Sequence, residues 1–518
     1  MRCTRRAKIE DILRRAAVYC IIGRERTRYN GLVAIRIEET AVATDQNQFD
    51  VFVIGSGIGG YVAAIRAAQL GGRIGIVEKQ YIGGTCLNVG CIPSKALLHI
   101  AQTYAQFAEL GKLGIKVETP PKFDMSVAVA FKDKVVKQLT GGVAQLLKAN
   151  GVTLFEGTAT AKSPTQVAIA LKDGTTREIT TRKLILANGS VVIRPPFPGL
   201  DGRNVIFSDD AMNMPKVPDS LVCIGGGVIA VELACMFHAL GTKVTIVEML
   251  PSIIANEDEE VRKALTRSLT KRGIQINTGA TVQSIEDAGN LKRVTASTAS
   301  GPQTFDGEYV LVAVGRKANP TGLDGLVSAG LAMDRGRVVA NERMETNLPG
   351  VYAIGDLVGK TWLAHVAETE GEVAAENALG HDAKMDYTVV PRPIFTFPEI
   401  ASVGLTEAQA RERSQNVRAE KFPWVANGKA LASDETEGFT KVILGEYGEL
   451  LGAAIFGPDA TNLITEFSLA MRAELTADEV IATIHPHPTY SEALREATLA
   501  AEHRPIHIFM RTAAAANR

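Results

Sequence analysis

The sequence predicts an α/β fold class, with two three-layer units followed by an α+β block, on three observations. An apolar strand runs into a glycine-rich turn, a small-residue helix and a second strand tipped by an acid. That whole unit occurs twice. From about residue 390 the chain alternates strands and helices without it.

The first copy begins at Val51-Phe52-Val53-Ile54, turns through Gly55-Ser56-Gly57-Ile58-Gly59-Gly60, and ends at Ile74–Glu78. Glycines at Gly55, Gly57 and Gly60 let backbone approach a pyrophosphate, the helix N-terminus faces its charge, and Glu78 can accept from ribose hydroxyls. The second copy runs from Leu221–Ile224 through Gly225, Gly227 and Ala230 to Glu248, and the first glycine and the acid are 23 residues apart in both. The units are Rossmann-like, and two of them imply two nucleotides. A bound flavin and an exchangeable nicotinamide are the simplest pair. Glu248 would bind a 2′-hydroxyl and repel a 2′-phosphate, and Met249-Leu250-Pro251-Ser252 holds no cation, which favours NAD. Ala230 in the third glycine position pulls toward NADP; the direct contact at Glu248 outweighs it.

Between the copies stands Gly83-Gly84-Thr85-Cys86-Leu87-Asn88-Val89-Gly90-Cys91-Ile92-Pro93-Ser94-Lys95. A regular helix would carry five residues about 7.5 Å along its axis, beyond the reach of a disulfide, so the segment must be irregular if the pair is to close. Gly90 supplies the freedom, and Pro93 suits the first turn of a helix starting near Cys91. A helix N-terminus there would favour a Cys91 thiolate. Taken alone, the spacing is equally that of two small core residues. Cys223 and Cys235 lie in an apolar strand and helix and are expected to pack.

Residues 96–150 read as helical and 152–186 as short strands, with Arg194–Gly199 as a Pro-rich linker. Asp356 follows the strand Gly350–Gly355, where it could be a flavin acceptor or a plain turn residue. The last block ends His485-Pro486-His487-Pro488-Thr489-Tyr490-Ser491-Glu492. A carboxylate near His487 would raise its basicity and fix its tautomer.

A net charge of −1 gives no footprint for nucleic acid, and no apolar run reaches the roughly 18 residues of a membrane span. Six cysteines are too few and too scattered for a secreted scaffold, so a reducing, cytoplasmic compartment is expected. Met1 to Arg36 carries ten Lys/Arg against three acids. Residues 1–47 are expected to be a poorly ordered extension of unknown role; read as a presequence they would place the protein in the mitochondrial matrix.

Taken together, Gly83 to Lys95, Ala353-Ile354-Gly355-Asp356, Leu363-Ala364-His365 with Glu368 and Gly371, and His485 to Glu492 resemble the pyridine nucleotide-disulfide oxidoreductases over residues 49–505. The resemblance is to the class I branch that oxidises protein-bound dihydrolipoamide with NAD+. It implies a Cys86–Cys91 redox disulfide, with Cys86 exchanging with substrate and Cys91 facing FAD. It implies Lys95 beside the flavin and paired with Glu232, and Asp356, Gly157 and Ala364 as further FAD contacts. Gly315 joins the NAD set, and no metal is required. His487 is implied as general base with Glu492 orienting it, both supplied by the other subunit of a homodimer. Lipoyl domains of a 2-oxo acid dehydrogenase complex or the glycine cleavage system are the implied partners. The implied domains are 48–197 for FAD, 198–318 for NAD, 319–389 completing the FAD site, and 390–518 for dimerisation. Asn188, Ala318 and Pro486 depart from the family's usual Thr, Pro and Ala. The alternatives are an NADPH-dependent glutathione-reductase-like enzyme, which would want basic residues where Glu248 stands, and a non-catalytic flavoprotein subunit. A mercuric reductase would carry a cysteine pair near its C-terminus, and no cysteine follows Cys235.

Overall fold

A computed structural model describes residues 47–119 and 121–509; of the extension expected over residues 1–47 all but Asn47 lies outside them, as does the end of the tail. Strand β1 (Gln48–Ile54), helix α1 (Ile58–Gln69) and strand β2 (Ile74–Glu78) form the first unit, followed by α2 (Gly84–Asn88), α3 (Cys91–Gln106) and α4 (Met125–Ala149). Strands β3 (Thr153–Ser163), β4 (Gln166–Leu171) and β5 (Thr176–Leu186) come next.

Two of the strands expected to be short are 11 residues long. The reason is that each serves two pairings. β3 starts parallel to β2 and continues antiparallel to β4, while β5 leaves β4 to run parallel to β1. Alternation along β1 shows both faces of the sheet covered: Val51 and Val53 pack with the helices, Phe52 and Ile54 with the strand meander.

Strand β6 (Ser190–Val192) precedes the Pro-rich linker, and β7 (Val205–Phe207) follows it and leads to the second unit. Its elements are β8 (Ser220–Ile224), α5 (Val228–Ala239), β9 (Lys243–Val247), α6 (Glu259–Arg272) and β10 (Gln275–Asn277). The antiparallel sheet β11 (Thr281–Ala288), β12 (Leu291–Thr298), β13 (Gly301–Gly307) is followed by β14 (Tyr309–Val312), which completes a parallel sheet of order β10-β9-β8-β14-β7. Strand β15 (Arg316–Ala318) pairs with β6.

The chain then returns to the first sheet. Strand β16 (Val351–Ala353) pairs parallel to β5, and α7 (Ala364–Ala378) lies against α1. The contact is close because both helices present glycine: a Cβ on Gly371 would stand 2.4 Å from the Gly59 carbonyl oxygen. The last block is an antiparallel sheet, β17 (Arg392–Ile394), β18 (Glu399–Gly404), β19 (Arg418–Pro423), β20 (Phe439–Leu444) and β21 (Leu450–Gly457), in the order β17-β18-β21-β20-β19. Helices α8 (Ala460–Arg472), α9 (Ala477–Ala482) and α10 (Glu492–Ala501) follow. None of the described helices is long and apolar enough to cross a membrane.

Candidate active site

One continuous cavity of about 1930 Å³ runs from the first glycine turn, past the two cysteines, to the second glycine turn. Its wall includes Gly55, Gly57, Gly60, Glu78, Cys86, Cys91, Lys95, Gly157, Gly225, Gly227, Glu232, Glu248, Gly315, Asp356 and Ala364.

The two glycine turns share a geometry. Gly55 and Gly225 have φ of +99° and +109°, and a Cβ on either would collide with the carbonyl oxygen of Ala187 or Ala313. Only glycine serves there. Gly57 and Gly227 differ, because a Cβ on either would meet no protein atom within 4 Å. The room lies toward the cavity, beside a helix N-terminus with unpaired N–H groups, and suits a nucleotide's phosphates. Both turns fit the dinucleotides the sequence implied. Ala230, in contrast, is buried in the core and is absent from the wall. Its position serves helix-on-strand packing, the third-glycine role.

Glu78 accepts from Ser56 N at 2.9 Å, Ser56 Oγ at 2.9 Å and Gln80 N at 2.8 Å. Glu248 accepts from Gly226 N, and from Leu250 N at 2.6 Å. Asp356 accepts from Ser190 Oγ, which itself accepts from Arg316 Nε at 2.9 Å. Arg316 also pairs with Asp209 at 3.1 Å, so it ties Ser190 and Asp356 to the second unit. Glu370 takes Gly355 N and the Tyr387 hydroxyl, each at 2.6 Å, and fixes the turn on which Asp356 sits. Burial pushes the Glu370 carboxyl up.

Helix α2 ends at Asn88 and α3 begins at Cys91, with Gly90 between them at φ −131°, ψ −115°. This break is the irregularity the cysteine spacing demanded. The structure holds both residues as thiols. The Cys86 side chain hydrogen-bonds Cys91; that bond, opposed by burial and helped by the Lys95 ammonium, lowers the Cys91 thiol to about 7. As its counterpart, Cys86 is pushed up by the same hydrogen bond and by burial. Lys95 Nζ lies 2.7 Å from Glu232 Oε2 and 4.5 Å from the Phe395 ring centroid. Phe395 N donates to the other Glu232 oxygen at 2.9 Å. Cys223 and Cys235 are buried core thiols, as expected.

His487 Nδ1 stands 2.8 Å from Glu492 Oε1, and Thr489 N donates to Glu492 Oε2 at 2.8 Å. Burial opposes it, but the Thr489 N–H and His487 hold the Glu492 carboxyl below its usual range. The pair is away from the cavity wall, and the His487 side chain is 76% exposed. Of the three departures, Asn188 lines the cavity and leaves its Oδ1 without a partner, and Ala318 sits buried opposite Ser190. Pro486 separates two histidines that each hold a glutamate.

The pyridine nucleotide-disulphide oxidoreductase family model matches residues 49–371, and the dimerisation domain of the same family matches residues 390–498. The chain is similar to the dihydrolipoyl dehydrogenase of Chlamydia muridarum, 41% identical over 467 residues, covering 89% of this chain and 98% of that protein. It is 38% identical to the mitochondrial dihydrolipoyl dehydrogenase of Pisum sativum over 502 residues, covering 96% of this chain and 99% of that protein. Among solved structures, LpdA of Mycobacterium tuberculosis superposes with a TM-score of 0.81 at 25% identity, covering 87% of this chain and 99% of that one. The HOCl-induced flavoprotein disulfide reductase RclA of Escherichia coli does so with a TM-score of 0.78 at 27% identity, covering 87% and 99%. The chain therefore belongs to the pyridine nucleotide-disulphide oxidoreductases, flavin-dependent enzymes that work with FAD and NAD(H) and carry a dimerisation domain.

Proposed function

We propose that this enzyme oxidises dihydrolipoamide carried on a lipoyl domain and passes the electron pair to NAD+. The observation that carries the reading is the junction in the cavity. A thiol lowered to about 7 stands beside Lys95 and Glu232, between two glycine turns that have room for a nucleotide each.

In the oxidised enzyme Cys86 and Cys91 share a disulfide. His487 of the partner subunit takes a proton from the substrate dithiol, and the resulting thiolate attacks Cys86 Sγ. The S–S bond breaks, and Cys91 leaves as the thiolate that its surroundings favour. The second substrate sulfur then attacks the mixed disulfide, releasing cyclic lipoamide and leaving Cys86 as a thiol. Two electrons have moved from substrate to protein. FAD, when bound, supplies the relay that restores the disulfide and reduces NAD+. Glu492 orients His487 and stabilises the imidazolium. Lys95, fixed by Glu232, holds positive charge near Cys91. Glu248 would accept from the NAD ribose, and its charge would exclude a 2′-phosphate.

The proposed domains follow the sheets: residues 48–197 with 319–389 for FAD, 198–318 for NAD and 390–518 for dimerisation. The partners are the lipoyl domains of a 2-oxo acid dehydrogenase complex or the glycine cleavage system. Six scattered cysteines suit the cytoplasm, or the mitochondrial matrix if the first 47 residues act as a presequence. The test compares the purified yellow protein with dihydrolipoamide plus NAD+ and with glutathione disulfide plus NADPH. The first pair is expected to turn over and the second to fail; the reverse result overturns the reading.

A further inference from the structure

His485 is a second imidazole in the loop that carries His487, and both of its ring nitrogens face acceptors. Nδ1 lies 3.0 Å from the Thr483 carbonyl oxygen, and Nε2 lies 2.8 Å from Glu466 Oε1 on α8. A carbonyl and a carboxylate only accept hydrogen bonds, so each ring nitrogen must carry a proton to satisfy this arrangement. Only an imidazolium satisfies both contacts at once. Its side chain is 4% exposed, which leaves water little access as a substitute partner. The charged groups facing it are Glu466 from α8 and Arg495 from α10. Glu466 is the larger influence and raises the basicity of the ring; burial and Arg495 oppose it.

The other holds lie at the two ends of the loop: Thr483 Oγ1 donates to the Glu479 carbonyl at 2.8 Å, while Thr489 N donates to Glu492 at 2.8 Å and Tyr490 packs on Trp424 and donates to Glu435. Between the end of α9 at Ala482 and the start of α10 at Glu492 there is no helix or strand. Arg495 Nε donates to the Ile481 carbonyl at 2.9 Å at one end, and Asn427 Nδ2 donates to the Thr489 carbonyl at 3.0 Å at the other. His485 is the anchor in between. It bridges the loop backbone at Thr483 to α8, and Pro486 joins it stiffly to His487.

We propose that the His485–Glu466 pair positions His487 for proton transfer, and that it does so only while His485 is an imidazolium. A neutral imidazole has one N–H and must release either Thr483 or Glu466. One of the two holds on the loop then goes. His485 is absent from the cavity wall and acts through His487, so the inference rests on the function proposed above. The sign follows from the raised basicity: the clamp is intact at low pH and lost as pH rises through the His485 titration.

The test uses the full-length holoenzyme with His485→Gln and Glu466→Gln, each of which preserves a neutral hydrogen-bonding group. A charge-assisted hydrogen bond is lost, so dihydrolipoamide-dependent kcat/KM should fall about tenfold near neutral pH. That ratio should shrink toward one at alkaline pH, where the wild-type clamp has also opened. NADH-dependent ferricyanide reduction, which needs no dithiol substrate, should not change. A ratio constant across pH, or equal loss in both assays, overturns the proposal. Independently of turnover, 15N-histidine spectra assigned with the His485→Gln variant should show both His485 nitrogens protonated at neutral pH. A neutral ring there overturns the proposal even if the substrate reading holds. Wild-type protein with a protonated ring but no dihydrolipoamide turnover would overturn the substrate reading, and with it any role for His485 in that reaction.

Discussion

The two glycine turns are near copies in sequence, yet they are held in opposite ways. The first is covered. Helix α7 lies on α1 with Gly371 against Gly59, and β16 extends the sheet beside it. The second is open along one rim, where Met249 and Val228 are 65% and 40% exposed. It is anchored from behind by charge. Lys441 of β20, 2% exposed, pairs with Asp258 at 3.0 Å, Glu260 at 2.9 Å and Glu407 at 2.7 Å, while Glu257 accepts from Ser402 at 2.6 Å. The difference teaches that one fingerprint can serve two residence times. Close apolar packing over the first turn suits a nucleotide that stays, and an open rim on the second suits one that exchanges.

The largest expected effect comes from breaking the charged anchor. Lys441→Met leaves the buried Asp258 without a cation, while Glu260 keeps Lys421 and Glu407 keeps Arg411, and should cost about 3–5 kcal/mol; denaturant unfolding of the holoenzyme measures it. Next is the packed lid. Gly371→Val forces a side chain into the Gly59 backbone and should cost about 1–3 kcal/mol, with yellow colour lost on gel filtration. Third, Glu248→Gln removes a charged acceptor and should raise KM for NAD+ about tenfold, with flavin content unchanged and discrimination against NADP+ relaxed. Fourth, Gly57→Ala and Gly227→Ala place the same methyl in matching spaces. The first should weaken flavin retention, read by fluorescence on dilution, and the second should raise KM for NAD+ a few-fold without loss of flavin. Equal behaviour of the two variants would dissolve the distinction drawn here.

The smallest effect lies at the seam between the units. In the reduced enzyme, alkylation of Cys91 should rise through a midpoint of about 7. The reactive form is the thiolate, so loss of the Lys95 charge in Lys95→Met should move that rise upward, by about one pH unit.

Much of this was legible in the sequence because its signals are local. Gly55 to Glu78, Gly225 to Glu248, Cys86 to Cys91 and His487 to Glu492 each span 24 residues or fewer. What the sequence hid depends on tertiary placement. Lys441 lies 183 residues from Asp258. Its one visible sign is a lone cation inside the apolar run Phe439–Leu444, which reads as a solvated edge until the sheet is assembled. Glu370 looks like any helical glutamate until Tyr387 and Gly355 close on it, and Arg316 looks like the end of a strand. The lengths of β3 and β5 were missed because a bend between two pairings leaves no break in composition.

His487 and Glu492 face outward, away from the hollow where the thiols stand. Under the roles proposed above, no single copy holds a full set of reacting groups, and each pocket would borrow its proton acceptor from a neighbour. Mixing a preparation lacking the thiols with one lacking the imidazole should restore a fraction of turnover from two dead parents, and simple dilution should silence the native enzyme before it unfolds.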